Sequence, residues 1–381
     1  MRGSTLITHR CVLVAGMAIG AAANVAAQNS SLPPSIQLTL PAAQERWRAP
    51  LMSAAEQAAQ IGRDWLGPHP AGVITSLEVE LPVWQGRGAM VVERQAAYAV
   101  IRSWWSDALP DHRADAILDG FAWYLQSQAI EQLFDRRYLR TAHSVETIPL
   151  FGGAVQWSVP TLRRSRWSAG LRRDDAGMAA RYAAMFASLD RWIGTAALQS
   201  AMFEVARLPA STLNAAAIVN TIDTATGQDL AWLFTAAGDP AVMFDYAIAD
   251  LASMPGRCDS PCFETVVTAR RIGDGQFTGR SSARAGEFDA GDAITVRVTF
   301  ENGDTASAKW DGRDASRTFR FQGPSRALSA HLDPDRVLVL DANSLNNRIA
   351  PATSTNAPIR KWMARWIVWM QNAVLSYGFF A

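Results

Sequence analysis

Apolar positions recur at helical spacing through the first two thirds of the chain and then switch to a period of two. Ser53-Ala54-Ala55-Glu56 has the form of a capping box and predicts a helix running through Trp65, stopped by Gly67 and Pro68. Val73 to Val83 sets Leu77, Val79 and Leu81 against Glu78 and Glu80, the alternation of a half-buried strand. Two helices are predicted next, over 91–105 and 113–134, the second with Ala116, Ile117, Phe121, Tyr124 and Leu125 on its apolar side. Asp111-His112-Arg113 reads as the polar turn that opens it. A loop containing Pro149, Gly152, Gly153 and Pro160 follows, and the alanine-rich stretch 174–255 reads as helical.

From about residue 262 the pattern is that of strands. Ile294, Val296, Val298 and Phe300 alternate with Thr295, Arg297 and Thr299, Asn302-Gly303 makes a hairpin turn, and Ala306, Ala308 and Trp310 continue to a second turn at Asp311-Gly312. Further strands are predicted at 316–322, 327–332 and 336–341, which together describe a small β-sandwich. Gly273-Asp274-Gly275 with Gly279 does not have the spacing of a phosphate loop, and no helix follows it, so it reads as a β-turn. The fold class expected is α+β.

The two ends of the chain carry separate signals. Residues 1–27 combine Arg2 and Arg10, an apolar run from Val12 to Ala23, and Val25-Ala26-Ala27 ahead of Gln28, the layout of a secretory signal with its cleavage site. At the other end, Arg360, Lys361 and Arg365 precede sixteen uncharged residues, Trp366 to Ala381. Sixteen is short of the ~20 that span a bilayer. Trp362, Trp366 and Trp369 share one face of a helix there, and three readings stay open: a stripe packed on the protein's own body, a helix lying in a membrane interface, or an anchor. The expected division is a signal over 1–27, a helical domain over 28–255, a β-sandwich over 256–350 and a tryptophan-rich C-terminal helix over 351–381.

Composition narrows the function classes. With 381 residues and 49% apolar content the chain can build substantial cores. Removal of the signal leaves 34 basic against 35 acidic residues, a balance that argues against nucleic acid as a partner and against broad electrostatic binding to membranes. The exported protein keeps two cysteines, Cys258 and Cys262, separated by Asp-Ser-Pro. In an oxidising compartment such a pair closes a small loop, whereas a redox or metal role needs partners the sequence does not supply. His69, His112, His143 and His331 lie too far apart in sequence for any two to share a helical turn.

Ile101-Arg102-Ser103-Trp104-Trp105 is followed, fourteen residues on, by Asp119-Gly120-Phe121-Ala122-Trp123-Tyr124. This frame resembles the aminopeptidase N family of zinc metallopeptidases, in which an H-E-x-x-H-x-W-[FW] helix supplies two zinc ligands and the general base and an N-E-G-[FL]-A-x-Y helix supplies the third ligand. Gly227-Gln228-Asp229-Leu230 to Phe234, Phe244-Asp245-Tyr246, and the sandwich sequence Val298 to Gly312 with Leu332-Asp333-Pro334-Asp335 also resemble that family. The resemblance covers roughly residues 50–350 and implies a thermolysin-like, or gluzincin, mostly helical domain with a small sheet, followed by the sandwich. The family's large N-terminal β-domain has no counterpart here. Arg87-Gly88-Ala89-Met90 resembles the family's G-A-M-E-N strand, with Val91 and Val92 in place of its acidic and amide residues.

The chemical positions of the frame are replaced. Tyr98 and Arg102 stand where the two histidines belong, Ala99 where the base belongs, Asp119 at the third ligand, and Ala179 where the family's oxyanion-stabilising tyrosine is expected, with Tyr182 three residues away. A catalytic zinc needs lone-pair donors and an open position for water, and a guanidinium cannot lose its proton to coordinate a cation. The resemblance therefore implies that the ancestral zinc is lost, with no cofactor in its place, and that Arg102 and Asp119 form a buried ion pair there. The expected function is that of an exported, periplasmic or secreted pseudo-peptidase that binds a peptide or protein in the ancestral cleft or serves in an envelope assembly, with peripheral membrane contact through Trp362, Trp366 and Trp369 as a further partner. The alternative is an active metallopeptidase with a non-standard metal site, or another hydrolase, although no G-x-S-x-G elbow is present.

Overall fold

A computed structural model describes residues 36, 38–40, 42–70, 77–78, 91–105, 109, 111–133, 175–256, 262–278, 294–350, 366, 367 and 370. Residues Pro34–Ala381 form one compact unit. Its described elements are both helical and stranded, an α+β fold. The expected signal, the loop 134–174 and the Arg87–Met90 stretch lie outside the described residues.

Helix α1 (Arg48–Leu66) begins five residues before the expected start. Ser53 lies in its interior and caps nothing, because a 3-10 turn over Ala42–Trp47 already sets the chain into helical geometry. Pro50 is tolerated in the first turn, where its missing N–H has no partner to lose. The helix stops at Gly67, whose φ of 79° is open only to a residue without a side chain, and Gly67 N donates to Arg63 O at 3.0 Å. Of the strand expected over 73–83, Leu77–Glu78 (β2) is described, paired in parallel with Leu38–Thr39 (β1).

Helix α2 (Val91–Arg102) ends at Arg102, three residues short of the expected 105. Ser103 Oγ donates back to Val100 O at 2.6 Å, and the next amides make tighter i to i−3 bonds, so the last turn closes. Closure throws Trp104 across α1. Its ring lies where a Cβ on Gly62 would sit 2.6 Å away, and its Nε1 donates to Gly67 O at 3.2 Å. Helix α3 (His112–Leu133) buries Ala116, Ile117, Phe121, Tyr124 and Leu125 as the pattern predicts. Helix α4 (Asp175–Ile193) crosses it at Gly120, where a Cβ would lie 2.3 Å from Tyr182 Cβ and 2.8 Å from Ala179 O. Helices α5 (Thr195–Ala206), α6 (Ala215–Thr226) and α7 (Ala231–Gly238) complete the layer.

The helical reading does not extend to 255. Asp239 precedes Pro240, which disfavours helix at the residue before it, and Tyr246–Pro255 is a strand, β3. The end of α7 is closed by Arg181 from α4, a buried guanidinium donating to the carbonyls of Ala236 at 2.8 Å, Ala237 at 2.7 Å and Val242 at 2.9 Å. A cation here meets the negative end of the helix and satisfies carbonyls that have lost their own partners.

Strand β3 pairs with β4 (Phe263–Arg271), and β4 with β7 (Ser316–Gly323), all antiparallel. A second sheet orders β6 (Thr305–Trp310), β5 (Ile294–Phe300), β8 (Ala327–Leu332) and the two-residue β9 (Arg348–Ile349). Val267, Phe319, Val296, Val298, Trp310, Ala330 and Leu332 are buried. Asn302-Gly303 makes its turn with Gly303 at φ 89°. Gly273-Asp274-Gly275 is a turn strapped to the entry of β3, with Met243 N donating to Asp274 Oδ1 at 2.7 Å and Gly275 N to Met243 O at 2.8 Å.

Residues 336–341 are not the strand their alternation predicts. Leu338 and Leu340 are buried, yet three successive amides of this stretch go to side chains: Asp333 takes Val337 N at 2.9 Å and Leu338 N at 2.8 Å, and Ser188 Oγ on α4 takes Val339 N at 2.9 Å. The loop is thus fastened to α4, and Ala342 N donates to Phe244 O at 2.8 Å at the entry of β3.

Asp341 closes this loop, accepting from Asn343 N at 3.1 Å and Asn347 Nδ2 at 2.8 Å. Burial pushes its carboxyl up to about 7, and the charges of Asp245 and Asp333 push the same way. Proton uptake on folding therefore stabilises the loop fully below the unfolded value near 3.8, and that stabilisation is lost as pH rises through about 7. Asn347 Oδ1 has no donor, and turning its amide brings that oxygen to face a protonated carboxyl or an introduced amide. Asp341→Asn should raise the melting temperature at pH 8 and flatten its fall between pH 5 and 8, by up to about 4 kcal/mol in unfolding free energy. An unchanged pH profile in thermal melts would count against this role.

Candidate functional site

Helices α2 and α3 lie side by side, and each presents two polar residues one turn apart. Tyr98 and Arg102 come from α2, Asp115 and Asp119 from α3. Arg102 Nε donates to Asp119 Oδ1 at 2.7 Å, Nη2 donates to Asp115 Oδ1, and Nη1 reaches Trp105 O at 3.2 Å. Tyr98 Oη donates to the same Asp119 oxygen at 2.9 Å, and Leu109 N to Asp115 Oδ1 at 3.3 Å. One cation thus bridges two carboxylates.

The Arg102–Asp119 ion pair expected from the sequence forms, and it differs from an isolated buried pair in two respects. The guanidinium gives one contact to each of two carboxylates, Nε to Asp119 and Nη2 to Asp115. Water also reaches the cluster, with side-chain exposures of 16% for Arg102, 23% for Asp119 and 26% for Asp115. Asp115 escapes a reading based on motif positions. Its signal was present as the i−4 neighbour of Asp119 on the same face.

Burial raises the Tyr98 phenol well above its ordinary range, and the Asp119 charge adds to that. It therefore stays a proton donor to Asp119 at any physiological pH. The Trp123 ring stands edge-on to it at 6.4 Å. Ala99 packs against the core and offers no group that could accept a proton.

The remaining expected positions serve structure. Ala179 is buried at the crossing of α3 and α4, its carbonyl facing Gly120. Tyr182 is fully buried and lies against Gly238, with Arg113 Nε donating to its hydroxyl at 3.4 Å, so it does not enter the Arg102 cluster. Asp111 forms the turn read from the sequence and does more than that reading required. Its Oδ1 accepts from Arg113 N at 3.0 Å and Ala114 N at 3.3 Å at the start of α3, while Oδ2 accepts from Ala215 N at 2.8 Å at the start of α6. The bond from Ala215 N, foremost, holds this carboxyl below the usual range.

His69 Nε2 is 2.9 Å from Ser103 O beneath Trp104, His112 opens α3, and His331 lies half-buried on β8. Burial lowers the pKa of both His69 and His331. His143 and Cys258 lie outside the described residues, and Cys262 sits just ahead of β4 with its carbonyl accepting from Gly256 N at 2.8 Å. Among the described residues no three His, Cys, Asp or Glu side chains are grouped to hold a metal ion.

The residues at the resembled zinc positions do not fit zinc. Arg102 fills the space between the helices with a fixed positive charge and only donates, Tyr98 is held protonated, and the Asp119 oxygen facing them already accepts two hydrogen bonds. No protein-family model matches the chain, and no curated protein matches it.

The cluster has a measurable energetic consequence. Arg102→Met leaves two carboxylates one turn apart without their cation and should cost about 2–4 kcal/mol, toward the low end because water reaches the site. Adding Asp115→Asn and Asp119→Asn removes the repulsion and should recover roughly half of that loss. Urea unfolding of the three proteins reads both numbers. A single variant within about 0.5 kcal/mol of the parent would show that the bridge holds nothing together.

Proposed function

We propose that this chain is an exported pseudo-peptidase: a protein built on a thermolysin-like, aminopeptidase N-like scaffold that acts by binding a peptide or protein, alone or as a subunit of an envelope assembly. The observation that carries the reading is the seating of Arg102 between Asp119 and Asp115, on the helix pair that bears the metallopeptidase-like frame. In the resembled family the corresponding positions converge on a metal. Here they converge on a guanidinium, which satisfies the carboxylate that would otherwise attract a divalent ion. Ala99 leaves no carboxylate to take a proton from an attacking water, a contribution of roughly 10²–10⁴ in rate where it is present. A scaffold of this kind can still bind a peptide, since binding needs no ionised base.

Elemental analysis of the purified protein, paired with turnover of aminoacyl chromogenic substrates, tests the loss of catalysis. We expect zinc well below one per chain and no turnover above buffer, together with a cooperative melt. Stoichiometric zinc that survives dialysis, or turnover abolished by a chelator, would refute the reading.

The exported state is tested separately. Protein recovered from outside the cytoplasm should begin at Gln28 and carry one intramolecular Cys258–Cys262 disulfide, so that it takes up no thiol reagent until reduced. An intact N-terminus with two reactive thiols would contradict it.

A further inference from the structure

Strand β7 (Ser316–Gly323) lies at one side of the three-stranded sheet, beyond β4. Arg271 N donates to Ala315 O at 3.0 Å, and the register runs on without a shift from Arg270↔Ser316 to Phe263↔Gly323. Directly opposed residues of an antiparallel ladder alternate between bonded and unbonded pairs, so the hydrogen bonds to β4 fall on Arg317, Phe319, Phe321 and Gly323. The N–H and C=O groups of Ser316, Thr318, Arg320 and Gln322 point away from β4. All four residues are exposed, and among the described residues none of these backbone groups has a partner. The opposite edge, β3, is interrupted by the bulge between Ile248 and Asp250, and its entry is covered where Ala342 N donates to Phe244 O.

An unpaired row of this kind is a template on which an extended chain adds as a further strand. The side chains of β7 select which chain. The strand carries Arg317 and Arg320 and no acidic residue. The Arg320 side chain is 66% exposed and donates to Glu264 Oε1 on β4 at 2.6 Å. Arg317 is 43% exposed, stands over the Phe319 ring at 5.6 Å and lies 3.9 Å from Asp311 Oδ1. A guanidinium has five N–H donors, so each retains donors for a further carboxylate. A second copy of β7 laid on the first would bring the same cations together with no carboxylate on either strand, which disfavours self-pairing. Phe319 is buried on the inward side, and Phe321, two residues on, is half-buried on that side and can be covered further by an apolar neighbour.

We propose that the free edge of β7 binds an extended acidic peptide antiparallel to itself, with carboxylates opposite Arg317 and Arg320 and apolar residues opposite Phe319 and Phe321. Along the peptide the order is apolar, acidic, apolar, any residue, acidic. The site belongs to the sandwich, and the inference holds whether or not the α2–α3 pair has lost catalysis. Binding of this kind weakens with salt, because the two charge pairs that select the peptide are exposed and screened.

Fluorescence anisotropy at low salt, with labelled acetyl-TVEVTEVT-amide and its lysine counterpart acetyl-TVKVTKVT-amide added to the purified protein, tests it. The acidic peptide should bind at least about tenfold more tightly, since two attractive cross-strand pairs become repulsive in the lysine peptide. It should also slow hydrogen exchange at the amides of Thr318, Arg320 and Gln322. Thr318→Pro removes an outward N–H that β4 does not use, so the melting temperature should hold while binding falls at least about tenfold. Arg317→Gln/Arg320→Gln should bring the two peptides within about threefold of each other; if Thr318→Pro fails to fold, this variant and the exchange data decide. The proposal is overturned if the acidic peptide does not bind, or binds no better than the lysine peptide. It is overturned too if Thr318→Pro binds as tightly as the parent, which would place the peptide elsewhere on the molecule and leave the pseudo-peptidase reading standing. A parent dimer in sedimentation that Thr318→Pro dissociates would also overturn it, since a second copy would then occupy the edge.

Discussion

A guanidinium shared by two carboxylates one helical turn apart, with a protonated phenol on the same oxygen, governs how α2 and α3 meet. Each component would be costly alone in this partly dry seam: two carboxylates would repel, and an unpaired arginine would lose its hydration without compensation. Together they leave one net negative charge, spread over two acidic side chains and reached by some water. The contact is directional, so it fixes register as well as attraction. It also puts a permanent cation where the two helices would otherwise have to find one from solution, and this links the energetics of the scaffold to its chemistry.

The apolar framework makes that polar contact possible. Gly120 lets α4 press backbone to backbone on α3 just beyond Asp119, and Gly62 leaves room on α1 for the Trp104 ring, just beyond Arg102. Gly120 adjoins Asp119 on α3, whereas Gly62 acts from α1 through Trp104, two residues beyond Arg102. Arg181 does a comparable service at the far side of α4, where a buried cation gathers three carbonyls at the end of α7 and brings the chain round into β3.

Much of this was legible in the sequence, and the failures have identifiable causes. Helix α3 and the hairpin at Asn302-Gly303 follow directly from spacing and turn chemistry, since each depends on residues close together in sequence. Strand β3 was hidden because a bulge between Ile248 and Asp250 breaks its alternation, and its neighbourhood is rich in helix-favouring alanine. Residues 336–341 show the reverse error. Their alternation is real, but Asp333 and Ser188 take amides that a neighbouring strand would need. The Ser53 cap pattern is too short to compete with a turn already formed at 42–47. Positions 98, 102 and 119 could be placed from the motif frame alone, whereas Asp115 entered the cluster through the reach of an arginine from another helix, which a motif alignment does not represent.

The most direct test is a crystal structure with diffraction data collected on both sides of the zinc absorption edge, from protein grown in the presence of zinc. The account predicts no anomalous peak between α2 and α3, with the Arg102 guanidinium ordered between Asp115 and Asp119. A peak coordinated from those helices, with Arg102 swung out toward solvent, would contradict it.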